Sequence, residues 1–156
     1  MVRVAIGKKL PEFSLASSAG KPWRPGDGIG NMLVIYFYPR DNTPGCSKEG
    51  EDFRDLAMEF RKSGAVILGV SPDSLESHEK FRAKFKFPFD LLSDADRKIC
   101  VLFDVIREKS MYGRKFMGVE RSTFLVDSKG VLRQEWRKVK VTGHAQAVLD
   151  AARKLC

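Results

Sequence analysis

Seven consecutive apolar residues, Met32-Leu33-Val34-Ile35-Tyr36-Phe37-Tyr38, stop at Pro39, and a helical pattern starts a few residues later, at about Cys46. A run this rich in β-branched and aromatic side chains, with no polar alternation, belongs to a strand covered on both faces. It is far shorter than the roughly 20 residues that span a bilayer, so it is read as a buried strand. A strand that leads through a Pro-bearing loop into a helix places that loop at the carboxyl edge of a sheet, where open α/β folds keep their sites. The loop here ends in Cys46.

The rest of the chain supplies the partners such a strand needs. From about Cys46 to Lys62, Phe53, Leu56, Ala57 and Phe60 fall at i, i+3, i+4 and i+7, one apolar stripe with charges opposite, and Ser63-Gly64 stops the helix. Ala65 to Val70 is a second buried strand. Asp73 with Glu76 caps the next helix, which carries Phe81 and Phe85 one turn apart and breaks at Pro88. Ser93 and Asp96 repeat the capping pattern ahead of Ile99, Leu102 and Phe103. Ser122 to Asp127, the turn Ser128-Lys129-Gly130 and Val131 to Trp136 form a hairpin, and a last helix carries Val148, Leu149, Ala152 and Leu155. Near the start, Phe13 to Ala16 and Lys21-Pro22-Trp23 flank a Ser-Gly turn as a short N-terminal β-hairpin, and 25–31 is a Gly-rich loop. Early strands that alternate with helices imply parallel crossovers, and the late hairpin adds antiparallel strands. The fold class is mixed α/β with a central mixed sheet flanked by helices, in one domain over 1–156, a length at which a single core is self-sufficient.

Charge and cysteine usage narrow the function. The net charge of +8 favours anions, but the basic residues interleave with acids, as Lys48 does with Glu49. The densest basic stretch, Arg133 to Lys140, suits the wet side of a strand. Three cysteines, Cys46, Cys100 and Cys156, are too few for a disulfide scaffold, and with two histidines they offer no paired zinc spacing. No continuous apolar segment or cleavage site marks the first ten residues, so a cytoplasmic protein with a reactive, reduced thiol is expected.

The thiolate is the reactive form of cysteine. A cysteine in the first helical turn sits among unpaired backbone N–H groups at the positive end of the helix dipole, which favours that form. Pro39 shields the sulfur without adding a donor, and Thr43, three residues upstream, brings a hydroxyl beside it. Such a pocket suits attack on a small oxygen electrophile. Cys100, on a short amphipathic stretch, reads as an inert, part-buried thiol, and His144 as a cap or packing residue.

The pattern Pro39, Thr43, Cys46, with Arg121 in the later segment Gly118-Val119-Glu120-Arg121-Ser122-Thr123-Phe124-Leu125-Val126-Asp127, resembles the peroxiredoxins, most closely the bacterioferritin comigratory protein or PrxQ subfamily. The resemblance runs from Phe13-Ser14-Leu15 to Gly143-His144-Ala145. It implies a thioredoxin-like fold and a thiol-dependent peroxidase acting on hydrogen peroxide and organic hydroperoxides. Cys46 would be the peroxidatic nucleophile, Arg121 would hold its guanidinium toward sulfur and peroxide, Thr43 would orient the peroxide, and Glu49 would bind and orient Arg121. No metal, haem, flavin or selenium cofactor is implied, and relatives are often monomers.

Two departures matter. The usual positions of a resolving cysteine hold Glu51 and Arg82, so the chain resembles a one-cysteine version recycled by thioredoxin or another external thiol. Cys156 and Cys100 are the other candidates for resolution. The alternative is a thioredoxin-fold module that binds nucleic acid or protein through its basic surface and carries a non-catalytic thiol.

Overall fold

The computed structural model describes residues 3–155, so the candidate resolving residue Cys156 lies outside the described residues. Strand β1 (Ala16–Ser17) is followed by β2 (Met32–Phe37), helix α1 (Pro44–Asp55), α2 (Ala57–Lys62), β3 (Ala65–Ser71) and α3 (Leu75–Phe85). Then come β4 (Asp90–Ser93), α4 (Lys98–Leu102), β5 (Ile106–Met111), β6 (Arg114–Val119), β7 (Ser122–Val126), β8 (Leu132–Trp136) and α5 (His144–Leu155). The main sheet has the order β1-β4-β3-β2-β7-β8, and β5 pairs with β6 as a separate ribbon.

Strand β2 is central, as its composition requires. It runs parallel to β3, with Val34 opposite Ile67, and antiparallel to β7, with Ile35 opposite Phe124. Because side chains alternate across a strand, Met32, Val34 and Tyr36 enter one core with Phe53, Phe60, Phe81 and Val148. Leu33, Ile35 and Phe37 enter the other with Ile99, Cys100, Phe103 and Phe124. Taking one such ring out of water contributes about 2 to 3 kcal/mol, so the aromatic residues on both faces account for much of what pins the sheet between its helices.

Several local expectations are modified. The helix expected over 46–62 starts at Pro44 and is interrupted at Leu56 (φ −102°, ψ 3°), where the Leu56 N–H bonds to the Phe53 carbonyl in a tighter turn. The re-aimed second piece still brings Phe60 within 5.9 Å of Phe53. Ser74, not Asp73, caps α3: its hydroxyl accepts from the Ser77 N–H at 3.2 Å. Asp73 is engaged instead by the Asp41 N–H at 2.8 Å and the Ser71 hydroxyl at 2.6 Å. The N-terminal hairpin amounts to one bridge, Leu15 to Trp23, while β1 crosses to the edge of the main sheet and pairs antiparallel with β4.

The β5–β6 ribbon went unread in the sequence. Its turn is Tyr112-Gly113, both with positive φ (52° and 76°), the geometry of a two-residue hairpin turn. A tyrosine where asparagine or aspartate usually stands hides that signal. The basic stretch 133–140 is on the wet side, and its arginines are engaged: Arg133 meets Asp127 at 3.2 Å and Arg137 meets Glu135 at 3.0 Å.

Candidate active site

Strand β2 ends at Phe37, and the chain turns through Pro39 and the left-handed Asn42 (φ 58°) into α1. Thr43 is the extended residue at the helix cap, Pro44 takes the first helical position that suits its missing N–H, and Cys46 is third. The first bond of the helical ladder runs from the Ser47 N–H to the Thr43 carbonyl at 2.8 Å. The Gly45 and Cys46 N–H groups therefore lie ahead of the ladder, at the positive end of the helix.

Arg121, between β6 and β7, arrives from 75 residues further along the chain and donates from Nη2 to Cys46 Sγ at 3.4 Å. Its Nη1 donates to Glu49 Oε1 at 2.6 Å. Glu49 is one turn beyond Cys46 on α1, so thiol and carboxylate share a helix face and the guanidinium bridges both. A Cβ on Gly45 would come within 3.2 Å of Arg121 Nη2, so a bare backbone at this position makes room for the guanidinium.

Burial sets the electrostatics. Cys46 is 2% exposed and Glu49 1%. Loss of water pushes the Glu49 carboxyl up to about 7, against the opposing pull of Arg121. Its Oε2 is buried without a hydrogen-bond partner. Arg121 is raised despite its own burial, because Glu49 and Cys46 both favour its charge. His144 at the start of α5 bonds through Nε2 to the Thr123 hydroxyl at 2.7 Å, and burial together with Arg121 lowers its pKa to about 4, so it is neutral at physiological pH.

The structure thus brings together Cys46, Arg121 and Glu49, with Pro39 and Thr43 half-buried on the loop that precedes Cys46. The Thr43 hydroxyl donates to the Arg40 carbonyl at 2.9 Å, which commits its proton and leaves its oxygen free to accept. Cys100 is placed apart, fully buried in the core on the opposite face of the sheet from Cys46. Burial and the Asp94 carboxylate push its thiol well above the usual range. Neither alternative resolving position is open: Arg82 donates from Nε to the Phe89 carbonyl at 3.0 Å, and Glu51 lies 3.8 Å from Arg54.

A second polar cluster escaped the sequence reading. Asp41, in the loop before Cys46, accepts from the Tyr38 hydroxyl at 2.7 Å and from the Ser77 hydroxyl at 2.8 Å, and it meets His78 Nδ1 at 2.7 Å. The available signal was His78 itself, which stands three residues before Phe81 on the apolar face of α3.

A thiol at a helix tip with a guanidinium on its sulfur, set at the carboxyl edge of a mixed sheet, is the arrangement of a thioredoxin-like protein. The sequence matches the AhpC/TSA family over residues 6–135. It is 59% identical over 140 residues to the peroxiredoxin Bcp of Xanthomonas campestris, covering 90% of this chain and 88% of that protein. It is 45% identical over 152 residues to the peroxiredoxin Bcp of Bacillus subtilis, covering 97% of each. Among solved structures, Xanthomonas campestris peroxiredoxin Q superposes with a TM-score of 0.86 at 54% identity, over 91% of this chain and 90% of that one. A mutant of Xylella fastidiosa PrxQ gives 0.91 at 42% identity, over 99% and 98%. The chain belongs to the AhpC/TSA family and, within it, to the Bcp/PrxQ peroxiredoxins, which are thiol-dependent peroxidases.

Proposed function

We propose that Cys46 is the peroxidatic nucleophile and that Arg121, Thr43, Pro39 and Glu49 complete its site, within one functional domain over 1–156. The observation that carries this reading is the Arg121 fork, one arm 3.4 Å from the Cys46 sulfur and the other bonded to buried Glu49 at 2.6 Å. The Cys46 thiolate attacks one peroxide oxygen in line with the O–O bond. An S–O bond forms, the O–O bond breaks, and the released oxygen takes a proton to leave as water or alcohol. Sulfur loses two electrons and becomes a sulfenic acid.

Arg121 stabilises both the thiolate and the charge that grows on the departing oxygen, and it does so already oriented, which is where fixed donors are most effective. Thr43, its proton committed to Arg40, accepts from the peroxide O–H, and the free Cys46 N–H donates to the same substrate. Preorganisation is needed because anionic charge alone does not make a fast thiol; nucleophilicity falls as basicity falls.

The substrate class is hydrogen peroxide and organic hydroperoxides. A structural study of the Xanthomonas campestris bacterioferritin comigratory protein concerns that protein's alkyl peroxide reduction. With Glu51 and Arg82 at the usual resolving positions and Cys100 in the opposite core, the sulfenic acid is read as reduced from outside, and a peroxide-induced disulfide to Cys156, the internal candidate outside the described residues, contradicts this. One external thiol displaces water to give a mixed disulfide, and a second releases Cys46 and leaves as the oxidised donor, thioredoxin or a similar dithiol. A monomer in a reducing cytoplasm meets these needs, and no helix among the described residues is long and apolar enough to cross a membrane.

Peroxide consumption by the purified protein with dithiothreitol or a thioredoxin system tests the proposal. Wild type consumes peroxide and Cys46→Ser does not; activity retained by Cys46→Ser contradicts the assignment.

A further inference from the structure

The chemistry proposed at Cys46 gives the β5–β6 ribbon no task, yet its surface is unlike the rest of the molecule. Four of the nine large apolar side chains that stand exposed among the described residues fall within 111–117: Met111 at 59%, Tyr112 at 97%, Phe116 at 43% and Met117 at 53%. Exposed apolar residues scattered singly need no explanation, but a cluster does. Directly opposed residues share a face of a ribbon. The pairs Met111–Arg114 and Lys109–Phe116 therefore lie on one face, and Glu108–Met117 and Ser110–Lys115 on the other. Tyr112 stands in the turn. Apolar side chains thus emerge from both faces and from the tip.

The charge of the ribbon is one-sided. Arg107, Lys109, Arg114 and Lys115 stand against the single acid Glu108. Lys115 meets Glu108 at 3.6 Å, and Arg107 turns back toward Asp104 at 3.0 Å. Arg114, opposite Met111 at the tip, meets no carboxylate among the described residues. The exposed Arg97 adds a further cation, donating from Nη1 to the Met117 carbonyl at 2.8 Å. At the other end of the ribbon Val119 is buried, and Lys109 Nζ donates to its carbonyl. The ribbon is thus fixed at its base and projects at its tip.

This combination disfavours two kinds of partner. A second copy would set one cationic ribbon against another. A folded protein docked on one face would leave the apolar groups of the other face in water. An anionic lipid bilayer surrounds a projecting tip on all sides: it takes apolar side chains below the headgroups, seats a tyrosine at their level, and meets Lys and Arg with lipid phosphates. We propose that the 111–117 tip of the β5–β6 ribbon is a peripheral docking site for anionic lipid bilayers. No spanning helix is needed for such binding. The base of the ribbon is two residues from Arg121, so docking holds the Cys46 site about 20 Å from the leaflet, the length of six residues of strand. The binding itself does not depend on the peroxidase reading.

Co-sedimentation of the full chain with vesicles tests it, using equal parts phosphatidylglycerol and phosphatidylcholine against phosphatidylcholine alone. Wild type and Cys46→Ser should bind the anionic vesicles alike, release them as salt is raised, and leave the neutral vesicles unbound. Each cation lost near an anionic surface weakens binding about fivefold, so Arg114→Ala/Lys115→Ala should bind about 25-fold more weakly. Tyr112→Ser/Phe116→Ser, which removes apolar contact and no charge, should lose about tenfold. A general attraction of the +8 chain is separated by Lys62→Ala/Lys129→Ala, which removes the same charge from exposed positions ahead of β3 and between β7 and β8, and which should stay within about threefold of wild type. The emission that Tyr112→Trp adds over wild type should shift to the blue on anionic vesicles only. Hydrogen peroxide turnover equal to wild type shows that each variant is folded. No binding to anionic vesicles at low salt overturns the proposal, as do equal losses in the two lysine-bearing double variants or unchanged binding in Tyr112→Ser/Phe116→Ser. A ribbon-dependent dimer in sedimentation velocity without vesicle binding assigns the surface to a second copy and overturns it too. Vesicle binding in a protein that consumes no peroxide would leave the docking site standing and remove the peroxidase reading alone.

Discussion

Glu49 is held by two opposed forces: burial favours its neutral acid, and the guanidinium 2.6 Å away favours its carboxylate. The balance at about 7 leaves both forms populated at neutral pH. The folded state raises this group above its unfolded value, so it binds more protons than the unfolded chain between about 4.5 and 7. Glu49 therefore costs stability progressively as pH rises through that window, and the cost is complete above it. His144, lowered to about 4, acts with the opposite sign, and its contribution is lost as pH falls from about 6.5. Melting temperatures of wild type and Glu49→Gln should lie close together at pH 5 and separate by pH 8 in favour of the variant; a pH-independent difference contradicts this assignment. The same variant should oxidise more slowly, because Arg121 loses its charged anchor. Arg121→Lys keeps the charge but loses the fork, and its rate of Cys46 oxidation should fall about a hundredfold, the usual cost of one preorganised donor. A rate within threefold of wild type would show that charge alone suffices.

At the scale of elements, α1 performs two tasks whose tolerances differ. On its inner face Gly50 approaches the Phe87 ring, and an added Cβ would sit 2.4 Å from it, so Gly50→Ala forces helix or ring to move. Thermal denaturation should record a loss of about 1 to 3 kcal/mol, and an unchanged melting temperature would mean that this packing gives way freely. On its exposed tip, Gly45→Ala should do the reverse. Alanine stabilises a helix by about 0.5 to 1 kcal/mol over glycine, while its Cβ, 3.2 Å from Arg121 Nη2, displaces the guanidinium. Stability should rise and oxidation should slow; a variant that gains on both counts contradicts the role given to the bare backbone there. Legibility in the sequence follows the same division. The strands and helices that bury periodic stripes were readable, β2 and α5 above all, as was the local motif Pro39, Thr43, Cys46. The β5–β6 ribbon was not, because its strands mix charged and apolar side chains with only Val119 buried, so no periodic stripe marks them, and its turn is opened by Tyr112. The break at Leu56 was not, because nothing in the stripe itself marks it.

For the whole molecule, the sheet is both frame and partition. Antiparallel pairing of β2 with β7 sets the end of β2, which leads to Cys46, beside the start of β7, which follows Arg121, and so closes a 75-residue separation to 3.4 Å. Motif resemblance pointed to both residues, but only the pairing of strands explains their contact. The partition puts Cys100 on the far side, its thiol pushed up by burial, while Cys46 lies on the near side with the Arg121 guanidinium on its sulfur. The asymmetry of these two thiols was only half legible: a short amphipathic stretch predicts burial for Cys100, but which face of the sheet receives it depends on topology. Both thiols can be read in a single experiment. The reduced protein is treated with one equivalent of hydrogen peroxide in the presence of dimedone, and the adduct is located by peptide mass spectrometry. Stoichiometric labelling at Cys46, none at Cys100 and none in Cys46→Ser is the predicted result; labelling at Cys100, or peroxide turnover that survives the loss of Cys46, would contradict it.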